Sequence, residues 1–184
     1  MAWPVDLAGW CSRILRGDAG MLDRCCGPTL DVGCGPGRLA GALLGRGQPA
    51  LGIDVSAAAV SLARQRGVAA LRRDVFDPVP GHGRWRHVLL ADGNIGIGGV
   101  PGRLLRRCRD LLAPGGLLHV ELTAPGTRTW AGIAHLHEDR GAGIPLHWAS
   151  VAVDDLAVVA AGAALRVVET WMEAGRWFAS LTRA

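Results

Sequence analysis

The chain is predicted to be an α/β protein with a doubly wound, mostly parallel seven-stranded sheet, helices on both faces and an antiparallel C-terminal strand. Three observations predict this. Apolar runs of strand length alternate with helix-patterned segments along most of the chain, the pattern of strands joined by right-handed crossovers. The first such run hands over to a helix through "LDVGCGPGRLA", Leu30 to Ala40, a glycine cluster that would weaken a regular element and so needs a geometric or chemical reason. The last two strand-like runs are separated only by Ala174–Gly175, which is too short for a parallel crossover and suits an antiparallel hairpin.

Residues 1–27 form an N-terminal helical segment, with a helix expected over 5–16, and a short apolar strand spans 28–33. "PGRLAGALLGRG" is a helix that ends at Gly45 or Gly47, and "PALGIDV" is the second strand. In "SAAAVSLARQRG", Ser56 can cap the helix start and Gly67 its end. "VAALRRDV" is a third strand and "WRHVLLAD" a fourth, whose continuous apolar run suits a strand covered on both faces. A glycine-rich loop at 93–99 leads into "GRLLRRCRDLL", an amphipathic helix with Arg103, Arg106, Arg107 and Arg109 expected on a solvated face. "LAPGG" turns the chain into the fifth strand, "GLLHVEL". Segment 124–150, with Trp130, His135, His137, His147 and Trp148, breaks the rhythm and reads as a cap-like insertion. "VDDLAVVAAGA" resumes as a helix, and "LRVVETWMEAG" and "RWFASLT" are the closing strands. No linker or repeat interrupts 1–184, which therefore reads as a single domain.

Composition bounds the function. Hydrophobic residues are 49% and charged residues 20% of the chain, as in soluble globular proteins. There is no apolar run of about eighteen residues that would span a membrane and no basic-then-apolar start typical of a signal peptide, so a cytoplasmic protein without membrane partners is expected. The formal charge of +4 rests on Arg alone, since Lys is absent; with the abundance of Ala and Gly this points to GC-rich coding more than to a nucleic-acid partner. The five cysteines show neither zinc spacing nor a disulfide framework, so neutral thiols and no metal site are expected.

The glycine cluster has the form D-x-G-x-G-x-G, with Asp31 ahead of Gly33, Gly35 and Gly37. Dinucleotide enzymes prefer G-x-G-x-x-G, where the helix start meets a pyrophosphate, and an acid is a poor neighbour for that group. Asp54, Asp74 and Asp92 stand at the expected carboxyl ends of successive strands, the edge where ligands bind in open parallel sheets. A net-positive chain that gathers carboxylates at one rim calls for a cationic ligand.

In this ordered set the chain resembles the class I (Rossmann-like) S-adenosylmethionine-dependent methyltransferases over nearly its full length. "LDVGCGPGRLA" is similar to that family's first motif, "GIDVS" to the acidic end of its second strand and "RRDVFD" to its adenine-binding segment. "LLADGNIG" resembles its fourth-strand end, and "LLAPGGLLHVEL" its fifth strand with the preceding turn. The resemblance implies S-adenosyl-L-methionine as cofactor. It implies that Gly33, Gly35 and Gly37 let the backbone pass beside the methionine part, with Cys34 in the same loop, and that Asp31 holds the amino group. Asp54, followed by Val55, would accept from both ribose hydroxyls. Asp74 would accept from the adenine amine while the Val75 N–H bonds the ring, Asp92 would lie near the sulfonium end, and Asn94 is counted with the cofactor-binding residues.

The acceptor is less legible. The loop "DGNIG" replaces the N/D-P-P-Y form expected where DNA bases are methylated, and no paired-glutamate loop of the protein-arginine type is present. With 0 Tyr and 2 Phe, a stacking platform for nucleic acid would have to rest on Trp. A small-molecule acceptor is expected, with His147, His135 or His137 of the insertion as the candidate proton acceptor. The alternatives are an NAD(P)- or flavin-dependent oxidoreductase on a Rossmann fold and a non-catalytic S-adenosylmethionine-binding protein. Oligomeric state is left open.

Overall fold

The computed structural model describes residues 14–136 and 144–184. The helix expected over 5–16 lies mostly outside the described residues, and Ile14 to Arg16 are not helical. The described chain begins with α1 (Ala19–Asp23), β1 (Thr29–Val32) and α2 (Arg38–Gly45). It continues through β2 (Ala50–Asp54), α3 (Ala57–Gln65), β3 (Ala70–Arg72) and β4 (Trp85–Leu90). After these come α4 (Pro101–Leu111), β5 (Leu112–Leu122), β6 (Trp130–Leu136) and β7 (Ile144–Ser150). The chain closes with α5 (Leu156–Gly162), β8 (Leu165–Glu173) and β9 (Arg176–Arg183).

Local chemistry sets these boundaries. Ser56 starts α3 by accepting a hydrogen bond from the Ala59 N–H, as its sequence position predicts. β3 stops earlier than expected. Asp74 accepts the Phe76 N–H and closes a turn, so Asp74 and Val75 sit in a loop beyond the strand. Conversely, β5 starts earlier than expected: Leu112 already pairs with Trp85, and a register shift between Trp85 and His87 absorbs the glycines that precede the regular pairing. The loop at 93–99 is a 3₁₀ segment, Asn94–Gly99, broken at Ile97 and Gly98.

The sheet order is β3-β2-β1-β4-β5-β9-β8. The pairs β2–β3, β1–β2, β1–β4 and β4–β5 are parallel, and β9 runs antiparallel to both β5 and β8. The Ala174–Gly175 turn, with φ of 51° and 80°, joins β8 to β9 as a tight hairpin. Alternation along the strands splits the interior in two. Leu30, Val32, Val88 and Leu90 pack with Leu104, Leu105 and Leu111 of α4. Leu89 and Ala91 join Met21 of α1, Leu39 and Leu43 of α2 and Val60 of α3 on the other face. Helices therefore cover both faces, which is why all four residues of β1 are buried. Among the described residues, no helix is long and apolar enough to cross a membrane.

Two features position the site. Strand order reverses between β1 and β4, and the crevice at such a switch point lies outside the carboxyl ends of the strands. Segment 124–150 supplies β6 and β7, a separate antiparallel hairpin in which Ile133 pairs with His147 and Gly132 with Trp148.

Candidate functional site

A cavity of about 1630 Å³ opens at that carboxyl edge. Asp31, Gly33, Cys34, Gly35, Asp54, Val55, Asp74, Val75, Asp92 and Asn94 all line it, as does His147. Gly37 does not. A side chain there would stand 3.1 Å from the Ala63 Cβ and 3.0 Å from Val68, so this glycine serves the packing of α2 on α3 and adopts a φ of 81° as it caps α2. The three motif glycines thus divide their work. A Cβ on Gly33 would collide with Asn94, whose Nδ2 donates to the Val32 and Gly33 carbonyls. A Cβ on Gly35 would meet nothing within 4 Å, so Gly35 is the position that leaves main chain open to a ligand.

Asp54 ties the loop to the next helix. Its Oδ2 accepts from the Gly35 N–H at 2.9 Å and its Oδ1 from the Ser56 N–H at 2.8 Å. Each oxygen retains acceptor capacity toward the cavity. Asp31 is buried beneath the start of α2, where its Oδ2 accepts from the Ala40 N–H. Burial, with Asp92 nearby, raises its carboxyl to about 7. Asp92 is raised as well, by burial and the adjacent Glu121 against the pull of Arg38 and Arg176. A cation placed beside these two carboxylates would favour their ionised forms, so the donor set fits a ligand carrying an ammonium and a sulfonium.

Asp92 is the hub of an ion-pair network that sequence reasoning missed. Arg38 pairs with both Asp18 and Asp92, and Arg176 with Asp18, Asp92 and Glu121. Burial opposes ionisation of Asp18, but its bonds to the two arginines outweigh that and hold its carboxyl below the ordinary range. Asp92 itself has a φ of 54° and donates its N–H to Glu121 at 2.6 Å, a backbone state that costs energy in a non-glycine residue. One signal was available: Arg38 opens α2 directly after Gly37, and the positive end of a helix is a poor place for an unpaired cation.

The hairpin closes the opposite side. Trp130, Leu146, His147, Trp148 and Ser150 line the cavity with Trp177 of β9. The glycines of "DGNIGIGG" make this docking possible: a Cβ on Gly96 would stand 2.1 Å from the Ala149 carbonyl, and one on Gly99 3.0 Å from the His147 Cβ. Gly96 and Gly99 are therefore a contact surface for the hairpin. His135 lies on β6 opposite Pro145, and His137 lies outside the described residues.

The arginine face of α4 also differs from expectation. Arg106 and Arg109 donate to the Gly162 and Ala163 carbonyls at the end of α5, satisfying a helix C-terminus. Arg107 donates to the Val75 and Asp77 carbonyls, and Arg103 stacks on Phe76. These side chains are engaged, not merely solvated.

Cys25, His87 and His119 are buried close together in a metal-like grouping. Their hydrogen bonds give them another role. The Cys26 N–H donates to His87 Nε2, so the proton of neutral His87 sits on Nδ1 and goes to His119 Nε2. His119 Nδ1 then donates to Ser180, whose hydroxyl donates to Glu169. A metal on His87 Nδ1 would move the ring proton to Nε2, against the Cys26 N–H. Burial lowers both histidines, His119 to about 3, and raises the Cys25 thiol to about 12, so all three are neutral near pH 7.

Residues 29–116 match the family model of a methyltransferase domain. No curated protein matches the sequence. The fold is similar to that of a SAM-dependent methyltransferase from Bacteroides fragilis in complex with S-adenosyl-L-homocysteine, with a TM-score of 0.81, 23% identity and coverage of 98% of this chain and 82% of that one. It is also similar to the CcbJ methyltransferase from Streptomyces caelestis, with a TM-score of 0.69, 19% identity and coverage of 91% and 94%. A third similar structure is NcsB1, an O-methyltransferase from neocarzinostatin biosynthesis solved with S-adenosyl-L-homocysteine and 1,4-dihydroxy-2-naphthoic acid. Its TM-score is 0.65 and its identity 21%, and the match covers 91% of this chain and 53% of that one. Residues 29–116 thus match a methyltransferase domain, and the chain shares the fold of these solved methyltransferases, with its carboxylate-lined rim at the β1–β4 switch point.

Proposed function

We propose that this chain transfers a methyl group from S-adenosylmethionine to a small-molecule acceptor held between the glycine-rich rim and the β6–β7 hairpin. The observation that carries this reading is the continuity of one cavity. Carboxylates line it along the sheet edge, and Trp130, Trp148, Trp177 and His147 line its other side. The small-molecule ligand bound by the similar NcsB1 supports the same acceptor class.

The cofactor supplies an electrophilic methyl group on a sulfonium, which leaves the protein to bind and orient. Asp31 takes the amino group, Asp54 the ribose hydroxyls, and Asp74 with the Val75 N–H the adenine. Asp92, held by Arg38 and Arg176, faces the sulfonium. Alignment of the acceptor with the methyl carbon can lower the barrier by about 7–11 kcal/mol, and here the indole walls of the hairpin side perform it. His147 accepts a proton where the acceptor must lose one. Segment 124–150 acts as the cap of the acceptor site within a single domain.

The test is methyl transfer from labelled cofactor into a native-host extract separated by mass. The reading expects label in the low-mass fraction with matching formation of S-adenosylhomocysteine. Label confined to macromolecules, or binding with no product from any fraction, would contradict it.

A further inference from the structure

We propose that Arg107 of α4 is a positioning residue for the adenine end of the cofactor site, acting with Arg103 as a clamp on the loop after β3. The inference rests on the cofactor reading above and extends it to residues outside the motif series.

Arg107 reaches the loop through two bonds, Nε to the Val75 carbonyl at 2.7 Å and Nη2 to the Asp77 carbonyl at 2.6 Å. Bonds from a guanidinium are charge-assisted, and its planar fork fixes both carbonyls at once. The Val75–Phe76 peptide is thereby held at both ends, because its N–H is taken by Asp74 Oδ1 at 2.9 Å. In the peptide before it, the Asp74 carbonyl accepts from the Asp77 N–H. In a trans peptide the N–H points opposite to the C=O, so the Val75 N–H is aimed away from Asp77. The two groups assigned to adenine, the Asp74 carboxylate and the Val75 N–H, therefore owe their directions to one short turn whose outer carbonyls Arg107 holds.

One helical turn earlier, Arg103 lies over the Phe76 ring, 4.1 Å from its centroid, and both residues line the cavity. Such stacking restrains ring and guanidinium together. Gly98 also abuts Phe76: a Cβ there would stand 3.0 Å from the ring. The Phe76 ring is thus held by α4 and the 3₁₀ segment, as a wall at the adenine end.

The experiment compares wild type, Arg107→Ala and Arg107→Lys for binding of S-adenosylhomocysteine and of 5′-methylthioadenosine, which keeps the adenine and lacks the amino acid. Kinetics with S-adenosylmethionine and thermal midpoints are measured alongside. Loss of the two bonds frees the turn to leave its binding-competent shape, so both ligands should weaken by the same factor, about tenfold where that shape falls to about one-tenth of the free protein. KM for the cofactor should rise by that factor with kcat within about twofold. Lys, which cannot span both carbonyls, should restore only part of the affinity. A folded Arg107→Ala protein that binds both ligands as wild type does, with only a lower thermal midpoint, overturns the proposal and leaves Arg107 a structural residue. If Arg107→Ala does not fold, the Lys variant decides: wild-type affinity for methylthioadenosine there overturns the proposal, and a matched loss for both ligands supports it. Failure of the wild-type protein to bind either ligand would instead overturn the cofactor reading on which it rests.

Discussion

Binding of S-adenosylmethionine should expel a proton from Asp31. In the free protein, burial and the neighbouring Asp92 place this carboxyl at about 7, so about half of the sites carry the proton at pH 7 and about nine-tenths at pH 6. An ammonium in contact with a carboxylate lowers its pKa by about 1–3 units. With the full shift, binding releases about half a proton per site at pH 7 and about 0.9 at pH 6. Affinity should then fall roughly fortyfold between pH 7 and pH 5, because the free site must first give up its proton. Asp92, raised for related reasons, can only add to the count. Calorimetric titration in buffers of different ionisation enthalpy reads the released protons directly, and Asp31→Asn should remove most of the buffer dependence. Binding heats at pH 6 that are identical in all buffers would refute the reasoning: Asp31 would already be ionised in the free site, or the ammonium would bind elsewhere.

The same titrations govern stability. Asp31, raised from 3.8 to about 7, favours the folded state increasingly as pH falls from 7 toward 3.8. His119, lowered from 6.5 to about 3, contributes fully above 6.5 and loses that contribution as pH falls toward 3. Each changes stability by about 1.4 kcal/mol per pH unit, with opposite signs, so Asp31→Asn should lose stability more steeply than the ligand-free wild type as pH falls; equal slopes in denaturant melts between pH 6.5 and 4.5 would contradict this. Gly33→Ala places a Cβ 2.6 Å from Asn94 Nδ2 at a φ of 70° and should lower stability by about 1–3 kcal/mol. Gly35→Ala meets no protein atom within 4 Å and carries only the strain of a φ of 52°, about 1 kcal/mol, so it should shift the thermal midpoint less than Gly33→Ala and weaken ligand binding more; the reverse ranking would misplace the open stretch of main chain. On the proposed cofactor placement, Asp54→Ala would remove the acceptor of two ribose bonds, each worth about 1.5–3 kcal/mol, and affinity for S-adenosylhomocysteine should fall at least tenfold; an unchanged dissociation constant would exclude that placement.

The acids at or just beyond the strand ends were legible because their positions follow from strand pattern and loop chemistry, both local properties. Asp31, Asp54, Asp74 and Asp92 accordingly meet at one cavity. What was missed depends on distant partners. Arg176 pairs with Asp18 across a separation of 158 residues, and Arg38 with Asp92 across 54; no local pattern marks either pair. The arginines of α4 show the limit of amphipathic reasoning, which separates polar from apolar faces but does not distinguish a solvated cation from one that reaches a carbonyl. Gly37, Gly96 and Gly99 make a related point. Each is required by a neighbour from another element, so its purpose becomes visible only once the helices and the hairpin are in place.

The most direct test of the central claim is a crystal structure of the chain with S-adenosylhomocysteine. The account predicts the amino group at Asp31, the ribose hydroxyls on Asp54, the adenine against Val75 and Phe76, and the sulfur directed past Asp92 toward the Trp148 side of the cavity. Density for the ligand in any other orientation, or outside this cavity, would contradict it.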